Sequence, residues 1–252
     1  METTTAVLPP FIILDNHLEE WLREDIGRGD RTTQCLLNQD LVEGKARWIA
    51  KSDGIVAGLP VAGRVFQLLN EKVDFTALVK EGEFCEEGKV IAQIEGSLDA
   101  LLTGERVALN LAMSLSGIAT LTRKYIEKIE DLPTLFVDTR KTTPGLRILE
   151  KYATQVGGAM NHRMGLDDAV MIKDNHNAAA GGIGKAVTKI RSRIPYPLTI
   201  EVETENLEQV KEALEYQADI IMLDNMKPAT MRQAVRVIRE HNNKVKIEAS
   251  GN

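Results

Sequence analysis

Ala-Val-Met-Ile-Lys-Asp-Asn-His (residues 169–176) and Ile-Ile-Met-Leu-Asp-Asn (residues 220–225) share one pattern, a short apolar run that stops abruptly at charged or amide side chains. The pattern recurs along the second half of the chain. Thr134–Val137 precedes Asp138-Thr139-Arg140-Lys141, Leu198–Val202 precedes Glu203, and Val245–Ala249 precedes Ser250-Gly251-Asn252. Between the runs, apolar residues return at helical spacing: Ile183, Val187, Ile190 and Ile194; Leu207, Val210 and Leu214; Met231, Val235 and Ile238. Strands alternating with amphipathic helices predict parallel β/α units. In a β/α barrel the functional side chains gather at the C-terminal strand ends. Any one polar strand end is ordinary, because it meets solvent. Five successive ends carrying Arg/Lys, Lys, Glu, Asp and Ser-Gly-Asn predict a catalytic rim.

Upstream the pattern differs. Lys45–Ala50 and Gly54–Ala57 flank the turn Ser52-Asp53-Gly54, and Val73–Val79 and Lys89–Ile94 are further strand-like runs bounded by glycine turns. Leu98–Leu115 is apolar on most sides and predicts a helix buried in a core or subunit interface, with Arg106 as a charge that needs an anionic partner. After Gly117 a second amphipathic helix is expected from Ile118, Leu121, Tyr125, Ile126 and Ile129. The expected architecture is α/β. It has an N-terminal α+β domain over residues 1–115 and an incomplete α/β barrel, the catalytic domain, over residues 116–252, with the chain stopping before the last barrel strand.

Composition narrows the function. The 252 residues are 43% hydrophobic and 27% charged, an ordinary globular balance. A net charge of −6 argues against a nucleic-acid partner held by overall charge. No stretch approaches the ~20 apolar residues of a membrane helix, so no membrane partner is expected. Two cysteines, Cys35 and Cys85, without metal-ligand spacing fit a reducing cytoplasm. Walker and GxGxxG loops are absent, and no Ser-His-Asp or Cys-His arrangement is legible.

The cations Arg140, Lys141, Arg147, His162, Arg163 and Lys173, with Arg106, concentrate positive charge in an acidic chain. Such a set suits a small substrate rich in carboxylates and phosphates. Glu203 and Asp224 end two successive strand runs, placed to bind a divalent metal, accept sugar hydroxyls or stabilise a developing cation. Together the two sets make the charge map of a phosphoribosyl transfer. Thr139, Thr142, Thr143 and Ser250-Gly251-Asn252 offer hydroxyl and backbone N–H contacts to phosphate. The bland readings are a solvated Arg140-Lys141 end, a helix-capping His162-Arg163 and a structural Lys173–Glu203 ion pair across adjacent strands. In the same spirit Glu201 pairs a core lysine, and Asn175 and His176 orient loops.

These residues sit in stretches with a family likeness. Arg23-Glu24-Asp25-Ile26-Gly27 with Gly29-Asp30, Leu115–Thr120 (LSGIAT), Asp138–Arg147 (DTRKTTPGLR), Asn161-His162-Arg163, Lys173–His176 (KDNH), Glu201-Val202-Glu203, Leu223-Asp224-Asn225 and Glu248–Asn252 (EASGN) closely resemble the quinolinate phosphoribosyltransferase family, in the family's order from about Leu18 onward. The resemblance implies a type II phosphoribosyltransferase of de novo NAD biosynthesis. Quinolinate and phosphoribosyl pyrophosphate would give nicotinate mononucleotide, pyrophosphate and carbon dioxide, with magnesium as cofactor. By motif match Arg106, Arg140, Lys141, His162, Arg163 and Lys173 form the basic pocket. Glu203 and Asp224 sit by the ribose and magnesium, Lys141, Glu203 and Asp224 are catalytic, and Thr139 with Ser250, Gly251 and Asn252 contacts phosphate. The resemblance also implies a homodimer or larger homo-oligomer, with Arg106 supplied across the interface. Family members carry a further strand and a second phosphate loop after the SGN turn. The alternatives are a paralogue acting on nicotinate or another acceptor, and an inactive truncated fragment. Quinolinate's two carboxylates favour the richer cation set.

Overall fold

The computed structural model describes residues 6–37 and 42–251. Asn252, read above as part of a phosphate-binding turn, lies outside them. The chain divides into two compact units, Met1–Met164 and Gly165–Asn252.

The first unit opens with α1 (Phe11–Ile26) and α2 (Arg31–Leu37). Leu14, Leu18 and Leu22 repeat every fourth residue of α1 and are all buried, one stripe against the core. Then come β1 (Glu43–Ile49), β2 (Gly54–Ile55), α3 (Leu59–Leu69), β3 (Asp74–Ala77), β4 (Phe84–Cys85), β5 (Val90–Ser97), α4 (Leu98–Ile126) and α5 (Arg147–Gly157). An antiparallel sheet has the order β1-β5-β3, and β2 pairs antiparallel with β4. Glu81 ties the small strands to the helices. Its carboxylate accepts the N–H groups of Gly58 and Leu59 at the start of α3, at 2.8 and 3.0 Å, and the Tyr152 hydroxyl of α5 at 2.6 Å. Burial pushes the Tyr152 phenol well above its usual range, so it serves as a donor.

Two expectations change here. The helix foreseen over Leu98–Leu115 and the one after Gly117 are a single helix of 29 residues. Glycine inside a helix costs only about 1 kcal/mol relative to alanine, and packing on both sides of the position outweighs that. Ala112, Leu115, Ala119 and Thr122 are buried along one face, while Ser116 Oγ and Thr120 Oγ1 accept the backbone N–H groups of Ala57 and Ile55 at 3.0 and 2.8 Å. The run Thr134–Val137 forms no strand and makes only a parallel bridge between Val137 and Met160. Its side chains are exposed or half-buried, and Phe136 stacks on Tyr125 at 5.4 Å.

The second unit alternates strand and helix: β6 (Val170–Ile172), α6 (Asp174–Ala180), α7 (Ile183–Arg191), β7 (Ile200–Thr204), α8 (Leu207–Glu215), β8 (Ile220–Asp224), α9 (Pro228–His241) and β9 (Lys246–Ser250). All strand pairs are parallel and the order is β6-β7-β8-β9. Sequential order without reversal is that of a β/α barrel, not of a doubly wound sheet. Ile172, Ile200, Val202, Ile221 and Leu223 form one buried cluster with Val187, Val210, Leu214 and Ile238 of α7, α8 and α9. The residues Asp174-Asn175-His176, read as a polar stop after a strand, begin α6.

Candidate active site

In the first unit the chemistry-bearing residues lie on two loops, and α5 holds both. Arg147, Glu150, Lys151 and Thr154 recur at i, i+3, i+4 and i+7, one face of a helix. Arg147 donates to the Thr142 hydroxyl at 3.1 Å and to the Met164 carbonyl at 3.2 Å. The Glu150 carboxylate accepts the Thr143 N–H at 3.0 Å. Lys151, 1% exposed, donates to Asp138, 8% exposed, and to the His162 carbonyl at 3.0 Å. Asp138 also accepts from Thr154 Oγ1 at 3.1 Å, Asn161 Nδ2 at 2.7 Å and the His162 N–H at 2.8 Å. A buried carboxylate and ammonium each cost several kcal/mol to desolvate, and this one is tolerated because its lone pairs are filled.

Those loops present the cations. Arg140 and Lys141 follow Asp138 by two and three residues, while His162 and Arg163 follow Asn161 directly. The Thr139 hydroxyl accepts the Lys141 N–H at 3.0 Å, turning the first loop. His162 Nδ1 accepts the Arg163 N–H at 2.8 Å, which fixes the orientation of the ring. Arg140 Nε is buried and, among the described residues, has no hydrogen-bond partner. A buried donor left that way costs about 1–3 kcal/mol, and an anion bound there would satisfy it.

The second unit supplies an acidic face. Register pairs Glu203 with Met222 and Met222 with Glu248, and pairs Asp224 with Ser250. Side chains alternate along a strand, so Glu201, Glu203, Asp224, Glu248 and Ser250 share the face opposite the apolar cluster. Glu203 and Asp224 sit two register positions apart on neighbouring strands. Lys173 Nζ lies 3.0 Å from Glu203 Oε2, so the ion pair across β6 and β7 is formed. The Lys173 N–H donates to His176 Nδ1 at 3.0 Å, which orients the first turn of α6. Beyond β8, Asn225 takes a left-handed conformation (φ 52°), donates to Asp224 Oδ2 at 2.7 Å and gives its N–H to the Ser250 carbonyl at 2.9 Å. Gly251 follows, exposed. Two carboxylates on one face are hard oxygen donors of the kind magnesium takes, with water and phosphate completing the shell.

Each unit therefore gathers part of the expected set: Thr139, Arg140, Lys141, His162 and Arg163 in the first, Lys173, Glu203, Asp224 and Ser250 in the second. Arg106 stands apart from both groups. In this single chain it is exposed on α4, with no hydrogen bond or ion pair to a described residue, because its helix leaves that face uncovered. The sequence reading missed Lys151, Glu150 and Thr154 as supports, although their spacing from Arg147 was a legible signal. Arg147, counted there among the cations, spans Thr142 and Met164 through its guanidinium.

Comparison with known proteins gives a consistent picture. Residues 30–116 match the quinolinate phosphoribosyl transferase N-terminal domain and residues 118–252 match the C-terminal domain of the same name. A probable nicotinate-nucleotide pyrophosphorylase (carboxylating) of Synechocystis sp. is 61% identical over 97% of this chain and 82% of its own length. One of the same description from Bacillus subtilis is 46% identical over 93% and 79%. Among solved structures, NadC from Streptococcus pyogenes superposes with a TM-score of 0.91 at 43% identity, covering 98% of this chain and 86% of that one. The nicotinate-nucleotide pyrophosphorylase from Francisella tularensis gives 0.89 at 38% identity, covering 97% and 85%.

Proposed function

The chain belongs to the quinolinate phosphoribosyl transferase family, and from that membership we propose how its residues serve the reaction. The reaction joins the ring nitrogen of quinolinate to the anomeric carbon of phosphoribosyl pyrophosphate and expels pyrophosphate. One carboxylate leaves as carbon dioxide, and the product is nicotinate mononucleotide, a precursor of NAD. Residues 1–115 serve mostly structurally in this reading, Arg106 excepted, and residues 116–252 carry the rest of the chemistry.

Arg140, Lys141, His162, Arg163 and Lys173 bind the two quinolinate carboxylates and the neighbouring phosphates, arginine by paired N–H groups and lysine as point charge. The observation that carries this assignment is the buried Arg140 Nε without an acceptor. Glu203 and Asp224 face the ribosyl carbon and stabilise the positive charge that grows as pyrophosphate departs. Lys141 offsets the charge on the leaving group. Thr139, Ser250, Gly251 and Asn252 contact phosphate. Glu203 and Asp224 also fit magnesium, which when bound supplies charge neutralisation at the phosphates.

The assembly in this reading is a homodimer or larger homo-oligomer. α4 exposes Met113, Leu121 and Tyr125 beside a groove of about 770 Å³, and Arg106 stands exposed on the same helix. Covering that face with a second copy would carry Arg106 to the neighbouring subunit's anionic substrate. A cytoplasmic location suits two free thiols, Cys35 exposed and Cys85 buried. No helix among the described residues is long and apolar enough to cross a membrane.

Acceptor choice tests the reading. Incubated with phosphoribosyl pyrophosphate and magnesium, the protein is expected to form nicotinate mononucleotide from quinolinate. Turnover of nicotinate with none of quinolinate would overturn it.

A further inference from the structure

We infer that the buried Lys151–Asp138 pair is a positioning device that sets the distance between the two basic loops and thereby selects a substrate with two adjacent carboxylates. Resting on the proposed reaction, the inference adds residues that would not themselves touch substrate. Its basis is connectivity. Both backbone polar groups of His162 end on the pair, the N–H on Asp138 Oδ1 at 2.8 Å and the carbonyl on Lys151 Nζ at 3.0 Å. Asn161 Nδ2 bridges Asp138 Oδ2 at 2.7 Å and the Lys151 carbonyl at 2.9 Å. The loop that carries Arg140 and Lys141 and the loop that carries His162 and Arg163 are thus fastened to one carboxylate, and that carboxylate to α5.

Energetics point the same way. An apolar pair of similar volume would generally hold two loops at equal or lower free energy than a buried ion pair. An apolar pair would not fix the loops in direction, whereas hydrogen bonds to one carboxylate do. Recognition of two carboxylates on adjacent ring atoms needs cations held to about 0.5 Å. Arg147 and Glu150 extend the device along the same helix face by holding Thr142, Thr143 and Met164.

The test uses Thr154→Val, which removes a hydroxyl shared between Asp138 Oδ2 at 3.1 Å and the Lys151 carbonyl at 2.8 Å and leaves the ion pair in place, and the double variant Asp138→Asn with Lys151→Met, which leaves no lone buried charge. The readouts are thermal unfolding, KM for each substrate, and the Kd of benzene-1,2-dicarboxylate by calorimetry. For Thr154→Val the expected results are a Tm within a few degrees of wild type and a KM for quinolinate raised about tenfold, the scale of losing a supporting hydrogen bond behind a ligand. The rise exceeds any rise for phosphoribosyl pyrophosphate, and the dicarboxylate Kd weakens in parallel. A lowered Tm with unchanged quinolinate KM and dicarboxylate Kd in the folded variant would overturn the inference and leave the pair a support of the fold. A wild-type protein that forms no nicotinate mononucleotide would instead sink the proposed reaction, and the dicarboxylate Kd would still decide on positioning.

Discussion

Lys173 Nζ lies 3.0 Å from Glu203 Oε2, joining β6 to β7 on the acidic face of the parallel sheet. The lysine side chain is 48% exposed and the glutamate 16%. An ion pair open to solvent on one side contributes about 0–1 kcal/mol, so stability alone gives the pair little purpose. Its value in this account is placement, because the Glu203 carboxylate holds a cation at the strand end where a substrate carboxylate arrives.

Replacing Lys173 with Met therefore separates the two roles. Unfolding free energy should change by less than about 1 kcal/mol, while KM for quinolinate should rise roughly 10–100-fold, the worth of a charged contact. Steady-state kinetics beside urea denaturation reads both. Equal increases for quinolinate and phosphoribosyl pyrophosphate would place Lys173 on the phosphates.

Asp224→Asn keeps the shape and removes the charge. The account expects kcat to fall by roughly 10²-fold or more, with the fold intact, since Asp224 is half-buried at the end of β8 and not in the apolar cluster. A variant that fails to fold would make Asp224 a structural group.

Gly157 is required by close approach, not by backbone conformation. A Cβ there would come within 2.6 Å of Thr122 Cβ and 2.7 Å of the Ala119 carbonyl, where α5 meets α4. Neither neighbour is the free end of a flexible chain. Gly157→Ala should destabilise by about 1–3 kcal/mol, the usual cost of overpacking. The urea midpoint should fall with little change in slope.

Arg106 makes a prediction about assembly. Mixed under conditions of subunit exchange, an inactive Arg106→Ala protein and an inactive Lys141→Ala protein should recover activity, up to about a quarter of wild type for random dimers, because one site per heterodimer is then intact. Exchange without recovery would confine Arg106 to its own chain.

Much of this was legible in the sequence, and the misses have physical causes. The runs ending at Lys173, Glu203, Asp224 and Ser250 are strands because apolar residues alternate with, or stop at, polar ones, and that period survives in the structure as β6 to β9. Thr134–Val137 looks the same but contributes only the bridge at Val137. Periodicity reports a residue's fitness for a sheet and not the presence of a partner strand. Gly117 read as a break because intrinsic propensity is local, whereas the packing that carries α4 through it comes from residues distant in sequence. Arg106 was read as needing an anionic partner in a core or a subunit interface, and in the single chain it stands exposed on the open face of α4. Lys151 was overlooked for a different reason. A lysine on an amphipathic helix normally snorkels to solvent, and here Asp138, thirteen residues earlier, and the His162 carbonyl turn it inward.

The central claim is most directly tested by following carbon. With quinolinate labelled in the carboxylate at ring position 2, the account predicts one labelled carbon dioxide released for each nicotinate mononucleotide formed, and none without phosphoribosyl pyrophosphate. Nucleotide formation without labelled carbon dioxide, or labelled carbon dioxide released without phosphoribosyl pyrophosphate, would contradict it.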